Sequence, residues 1–556
     1  MKNYYTILFV FLSMIMFQTS YVFSQEENFE AKEKHLDSVA DKIWQTIAVP
    51  YPKPEIILRN SKIDINDCKT IACFDLKSKK IFIGIDIYDI CMSISEEALA
   101  AVLAHEMGHY FNNHKSFFAV SGYIFSEEER NFVKEKISDK QIIQLKELEA
   151  QADLFAAFHC FSAGYDISEA MPKALEKIYS LFKERDETHY LSLPERQKIA
   201  REAKEKFIEL LPLYEAAKLM SLVGEYEHSA KCYEYILKKD FTSWDMYNNA
   251  GVCYALAYVN YSQLHAKDFI YPITLEDNSE LIKLTEEIVT ARGAKGPKSK
   301  EYYEIMKLKA IDKFKTSIYM NDLVITPYIN LACLLSMDGD NKQARNYALK
   351  AEENARKIYN NHLIDISSVI KGIIFYYEKD TISARLEFQN AKDTPIGKYN
   401  LMILDGDDPD TLLKQPEVKP YDKKPWQNEK IDNIDLPNFD SEIDFYDATK
   451  SKTKKYEDLN NLTINIFDEN DYKAMKIENS NRDNYIGINM IETKDNYQDT
   501  SLRGIKRGNT KDMVTEIYGT PTRILVSSAN EYLIFETIGI IFKMESGFVA
   551  GWMLYD

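Results

Sequence analysis

The chain has 556 residues, with 69 Lys and Arg against 87 Asp and Glu and a formal net charge of −18. At roughly 100–200 residues per domain that length predicts three or four domains, and 45% hydrophobic with 28% charged residues excludes a chain disordered throughout. The acidic balance argues against nucleic acid or anionic lipid as a partner, and seven cysteines without a CxxC spacing exclude a disulfide scaffold and a cysteine-built zinc finger, with one isolated bridge left open.

Met1-Lys2 precedes an apolar run from Ile7 to Phe17, and small and polar residues then lead to a cleavage point near Ser24-Gln25. A positive start, about 11 apolar residues and a small residue at the break describe a secretory signal peptide. The alternative, an uncleaved anchor, has a run short for a membrane span. The expectation is an exported chain without a transmembrane helix after signal removal, in the periplasm, at the cell surface or outside the cell.

Between Pro54 and Ile90 the pattern is strand-like, with Ile56-Ile57-Leu58 and then Ile81, Ile83, Ile85 and Ile87. The strand at Lys80–Tyr88 is expected to pair with an extended substrate backbone. Ser93-x-x-Glu96 reads as a capping box opening a helix, on which Ala98, Ala101, Val102, His105 and His109 form one stripe. That helix carries His105-Glu106-Met107-Gly108-His109. Two histidines four apart can hold one zinc ion, and Glu106, one residue along, lies close to a zinc-activated water as general base.

A second helix is predicted from about Ser138 to Gly164, with Leu145, Leu148, Ala152, Phe155 and Ala156 on its apolar face. Glu149 and Asp153 fall on that same face. Carboxylates on an apolar stripe are expensive unless paired or metal-bound. Glu149 is therefore the preferred third zinc ligand and Asp153 an acceptor that orients a ligating histidine; the alternative is a pair of solvated acids at the stripe's edge. His114 and His159 read as structural or helix-end histidines.

The middle of the chain repeats. Gly224, Tyr226, Ser229, Tyr233 and Ile236 have the spacing of a second repeat helix, preceded by Leu213, Ala217 and Met220. Tyr247, Gly251 and Tyr254 follow with a large-small-large pattern; Ala310-Phe314 and Ala344-Ala348 are again 34 apart, with a looser unit at Gly372, Ala384, Phe388 and Ala391. A proline-containing acidic stretch then reads as an exposed linker. Strands are expected at Leu462–Phe467 and Tyr485–Met490, then a short helix ended by Gly519 and Pro521, and a hairpin of Glu531–Glu536 with Gly539–Met544.

These residues carry resemblances. His105-Glu-Met-Gly-His109, preceded by Ala100-Ala-Val-Leu-Ala104 and followed by His114, together with Glu149-Ala-Gln-Ala-Asp153, resembles the HtpX and CAAX-prenyl-protease type of zinc metallopeptidases in its soluble, BepA-like form. The resemblance covers about residues 30–205 and implies a zincin-like α+β domain, one zinc per chain and Glu149 as ligand. Thr188-His189-Tyr190-Leu-Ser-Leu-Pro194-Glu-Arg196 stands where soluble relatives have a His-Pro segment followed by Arg. It offers His189 and Arg196 as metal-capping or transition-state residues, although no proline follows His189 and the spacing is one longer; a plain loop histidine is the other reading of His189. The middle of the chain resembles tetratricopeptide repeats, and the last 55 residues, with Gly508-x-Thr510-x-x-x-Val514-x-x-x-x-Gly519-x-Pro521, resemble the BamE/SmpA fold.

The expected architecture is multidomain. A signal peptide (1–24) precedes the α+β zinc metallopeptidase domain (25–205). An all-α tetratricopeptide solenoid (206–400) with an insertion near 258–300 follows, then the acidic linker (401–460) and a small α+β domain (461–556). The resemblance implies an endopeptidase acting on protein or unfolded polypeptide in envelope quality control or maturation, with the repeat groove binding substrate or a protein partner. The rival reading is a chaperone-like assembly factor with a gated or structural zinc site.

Overall fold

The computed structural model describes residues 29–47, 52–59, 72–75, 78–114, 139–180, 192–239, 241–262, 269–273, 280–281, 299–407, 428–480, 486–526 and 531–556. The signal-peptide segment lies outside them. The chain forms two compact units, Met1–Ile47 with Pro52–Phe207, and Ala48–Tyr51 with Ile208–Asp556.

In the first unit, helix α1 (29–44) precedes strands β1 (Glu55–Arg59), β2 (Ala72–Asp75) and β3 (Lys80–Gly84), in the order β1-β3-β2. β1 runs parallel to β3, with Ile56 beside Ile81 and Leu58 beside Ile83, and β2 runs antiparallel to it. β3 is therefore paired on both sides, and the expectation that it receives substrate backbone is corrected: its hydrogen-bonding groups are already used. The alternating isoleucines also mislead about length. The strand stops at Gly84, and Ile85 and Ile87 belong to helix α2 (Ile85–Met92), which buries Ile87, Tyr88 and Cys91.

Helix α3 (Glu96–Phe111) follows. Ser95, not Ser93, is its N-cap; Ser93 ends α2 and its hydroxyl donates to the Ile90 carbonyl. Glu96, free of the expected capping box, accepts from Tyr165 Oη at 2.8 Å and contacts His35 Nε2 at 3.1 Å. Thirteen of the sixteen α3 residues are buried, which makes it the central helix of the unit rather than a one-faced surface helix. Helix α4 (Asp139–Ser162) packs along it, followed by α5 (Ala170–Ser180) and the start of α6 (Leu193–Leu222). The α3–α4 approach is close because Gly108 has no side chain: a Cβ there would stand 3.1 Å from Ala152 Cα and 3.1 Å from Phe155 Cδ1.

In the second unit, helices α7 (Tyr226–Lys238), α8 (Trp244–Ser262), α9 (Lys300–Met320), α10 (Thr326–Met337), α11 (Asn341–Lys357), α12 (Asn361–Tyr377), α13 (Thr381–Asn390) and α14 (Pro395–Asp405) stack so that each packs on its successor. Small residues sit at the closest contacts. A Cβ on Gly251 would lie 2.7 Å from the Phe314 ring, and one on Gly372 2.5 Å from Phe388. The insertion begins later than expected, since α8 continues to Ser262, and part of it is core: Phe269 and Ile273 are buried, and Asn400 brackets the Ile270 backbone with bonds of 2.8 and 3.0 Å.

A nine-stranded sheet completes this unit, in the order β4-β9-β10-β11-β12-β8-β7-β6-β5. Its strands are β4 (Glu280–Leu281), β5 (Ser451–Tyr456), β6 (Leu462–Asp468), β7 (Tyr472–Asn479), β8 (Ile486–Thr493), β9 (Arg523–Val526), β10 (Glu531–Phe535), β11 (Ile540–Glu545) and β12 (Phe548–Tyr555). One face packs on α15 (Phe439–Glu442) and α16 (Lys511–Tyr518) through Phe439, Val514, Tyr518, Phe542 and Trp552; the other joins the helical core through Ile464, Ile477 and Ile541. Residues 428–460 are thus not a linker. Ile431, Ile434, Phe439 and Ile443 are buried and β5 pairs with β6. Acidic composition hid four widely spaced apolar anchors. The C-terminal region is larger than the expected module and continuous with the helices, to which Tyr456 Oη is tied by donating to the Glu209 carbonyl at 2.6 Å.

Candidate metal centre

Helical spacing turns His105 and His109 toward the same side of α3, and the close approach at Gly108 brings Glu149 of α4 opposite them. His105 Nε2 and His109 Nε2 stand 3.1 Å apart; Glu149 Oε1 is 3.2 Å from His109 Nε2, and Oε2 is 3.6 Å from His105 Nε2. All three side chains are buried. Ligand atoms held tetrahedrally at about 2.0–2.1 Å from a zinc ion are separated by about 3.3 Å, so these three separations are those of a ligand triangle. Among the described residues this is the group of three metal-binding side chains that converge.

The hydrogen bonding fits a cation as well. His105 Nδ1 lies 2.8 Å from Asp153 Oδ1, which fixes the proton on Nδ1 and leaves the Nε2 lone pair facing the triangle. Buried Glu149 Oε1 receives no hydrogen bond, although His109 Nε2 is beside it. Two ring nitrogens and a carboxylate buried against one another are satisfied by positive charge between them, a proton or a metal ion. The carboxylates make this a place for positive charge: burial resists charging of His109, yet Glu149 and Glu106 outweigh it and raise its pKa, so a proton on Nε2 competes there with a metal ion. Burial likewise resists ionisation of Glu149, and His109, His105 and Arg196 hold its carboxyl well below the usual range.

Asp153 is fully buried and clamped by Arg196, whose Nε donates to Oδ2 at 3.0 Å and Nη2 to Oδ1 at 2.6 Å. Burial works against its ionisation, but Arg196 and His105 keep its pKa low. Arg196 Nη1 also lies 3.9 Å from Glu149 Oε2. The guanidinium therefore stands behind the ligands, bound to the carboxylate that orients His105. His189 lies outside the described residues.

Glu106, one residue past His105, points to the sheet. Its Oε2 accepts a hydrogen bond from the Phe74 backbone N–H of β2 at 2.9 Å, and it is buried. This contact has no sequence signature, because a main-chain N–H belongs to every residue type but proline. A second feature not foreseen is the ring of His114, whose Nδ1 lies 2.9 Å from His109 Nδ1. His159, by contrast, sits away from the triangle, against the Phe155 ring and 2.8 Å from Thr46 Oγ1; burial lowers its pKa to about 3 and keeps it neutral.

Two histidines and a carboxylate that converge, with a second carboxylate beside them, are a donor set that fits a zinc ion with a position left open. Residues 30–127 match the family model of Peptidase family M48, which supports placing this domain among the M48 zinc metallopeptidases. The matched segment contains His105, Glu106 and His109; Glu149 lies beyond it. No curated protein matches the chain. Among the described residues no helix is long and apolar enough to cross a membrane.

Proposed function

We propose that the chain is a zinc-dependent endopeptidase in which His105, His109 and Glu149 hold the metal and Glu106 moves the proton. The ligand triangle, with separations of 3.1, 3.2 and 3.6 Å, carries the proposal. Zinc at that place supplies Lewis-acid chemistry, polarising a peptide carbonyl and acidifying water. Glu106 takes the water's proton as the carbonyl is attacked and returns it to the departing amine. The Phe74 N–H holds Glu106 Oε2, so that one carboxylate oxygen is fixed and the other is left for the proton. Asp153 keeps His105 in the tautomer that ligates through Nε2, and Arg196 keeps Asp153 ionised and in place.

The same reading extends to the rest of the chain. Residues 1–24 export the protein, supported by the charge and apolar run of that segment; a mature N-terminus other than near Gln25 in an exported fraction would count against it. The stacked helices of the second unit are tetratricopeptide repeats that bind substrate or partner, supported by the 34-residue spacing and by the Gly251–Phe314 and Gly372–Phe388 contacts. The BamE/SmpA likeness of the C-terminal region is supported by Thr510 capping α16, whose hydroxyl accepts from Met513 N–H, and by Gly519 ending it.

The test is cleavage of an unfolded polypeptide by the purified chain beside Glu106→Gln, with zinc content measured in both. Retained zinc and lost turnover in Glu106→Gln support the peptidase reading. Equal turnover in both proteins, or no zinc in the wild type, refutes it.

A further inference from the structure

A histidine that binds metal through Nε2 carries its proton on Nδ1, and that proton needs an acceptor to fix the ring. His105 has Asp153. For His109 the group at that position is another imidazole, the ring of His114, with the two Nδ1 atoms 2.9 Å apart. His114 reaches it because α3 ends abruptly: Asn112 caps the helix, Asn113 takes a left-handed conformation (φ +46°), and the chain doubles back so that His114 N–H donates to the His109 carbonyl at 3.0 Å. Asparagine tolerates that conformation better than most residues, and Lys79 Nζ holds it there by donating to Asn113 Oδ1 at 2.7 Å. The two histidines are thus joined twice, main chain to main chain and ring to ring. His114 is buried, as are Asn112 and Asn113, so water does not replace the contact.

We propose that His114 is a positioning residue for metal binding, its Nδ1 accepting the Nδ1–H of His109 and holding that ring with Nε2 toward the Glu149 side. With His109 ligating through Nε2, the proton between the rings is on His109 and His114 accepts it at Nδ1. The two ligating histidines are therefore oriented by different chemistry, His105 by a carboxylate locked to a guanidinium and His109 by an uncharged imidazole. The inference rests on the metal-site reading above.

The test is zinc affinity of the full chain, measured by competition with a chromophoric chelator, with thermal unfolding of the zinc-free proteins as the fold control. His114→Phe fills the space without an acceptor, His114→Ala removes both, and His114→Asn restores an acceptor where Nδ1 stood. His114→Phe and His114→Ala should weaken zinc binding about 10–100-fold, with His114→Asn recovering most of the loss. If His114→Phe does not fold, the Asn and Ala pair decides. Wild-type affinity in His114→Phe, or an Asn variant no better than Ala, overturns the proposal while leaving the metal site standing. A wild type that binds no zinc overturns both.

Discussion

Gly108 lies between His105 and His109 and offers no side-chain donor, and its replacement by alanine tests how the site is assembled. A Cβ at residue 108 would meet Ala152 Cα at 3.1 Å and Phe155 Cδ1 and Cβ at 3.1 and 3.2 Å. Carbon atoms rest at about 3.5–4.0 Å, so relief requires a movement of about 0.5 Å. A ring can turn aside, but Ala152 Cα is backbone, so α4 itself must shift, and Glu149 and Asp153 ride on the turns flanking Ala152. Alanine gains about 1 kcal/mol of helix propensity over glycine, while overpacking costs about 1–3 kcal/mol; the net expectation is a loss of up to about 2 kcal/mol in the zinc-free protein. The larger effect is on metal binding, since ligand distances tolerate only about 0.2 Å. Unfolding of the zinc-free protein by circular dichroism and chelator competition for zinc measure the two terms separately. A Gly108→Ala protein that is more stable and binds zinc as the wild type does would refute the argument that the α3–α4 approach sets the ligand geometry.

Two further outcomes are expected. Phe74→Pro deletes the N–H that holds Glu106 Oε2, and with it the buried ring that packs on Tyr110. Phe74→Ala loses the ring but keeps the N–H, so kcat should be about tenfold or more lower in the proline than in the alanine variant at equal zinc content, and equal kcat in the two would show that Glu106 needs no such tether. His159 supplies a pH dependence: its folded pKa is depressed to about 3 by burial against about 6.5 when unfolded, so the unfolded chain binds the extra proton first and stability falls as pH drops from about 6.5 toward 3. Over the 1.5 units to pH 5 that loss is about 2 kcal/mol. In urea unfolding of the zinc-free protein, His159→Asn should escape this loss, and equal acid sensitivity in both proteins would contradict a buried neutral ring.

The convergence of His105, His109 and Glu149 was legible because it follows from spacing: histidines four apart turn to one side of a helix, and two acids fall where an apolar helix face has no other use for them. What lay between was less so. The alternation through Ile81, Ile83, Ile85 and Ile87 does not register that Gly84 ends the strand, because isoleucines at i and i+2 suit a buried helix start as well. β7 escaped notice although Tyr472, Ala474, Ile477 and Asn479 are buried along it, since lysines and glutamates between them give the segment a polar look. Residues 428–456 were misjudged on composition, which averages over the few apolar side chains that anchor them. His114 looked like an ordinary helix-end histidine, and only the left-handed turn at Asn113 reveals which ring it meets.

The charges around the site favour an ion of a particular valence. Glu106, Glu149 and Asp153 are three formally negative side chains buried together, and Arg196 is the buried cation beside them. One guanidinium against three carboxylates leaves two negative charges uncompensated, a costly state in a pocket shielded from water. Arg196 is a single charge shared between Asp153, which it clamps, and Glu149 at 3.9 Å. A divalent cation at the triangle brings the pocket to balance, whereas a monovalent one leaves half the deficit. A cation between His105, His109 and Glu149 would offset that charge and would also tie α3 to α4, so zinc removal should lower the unfolding temperature of this unit.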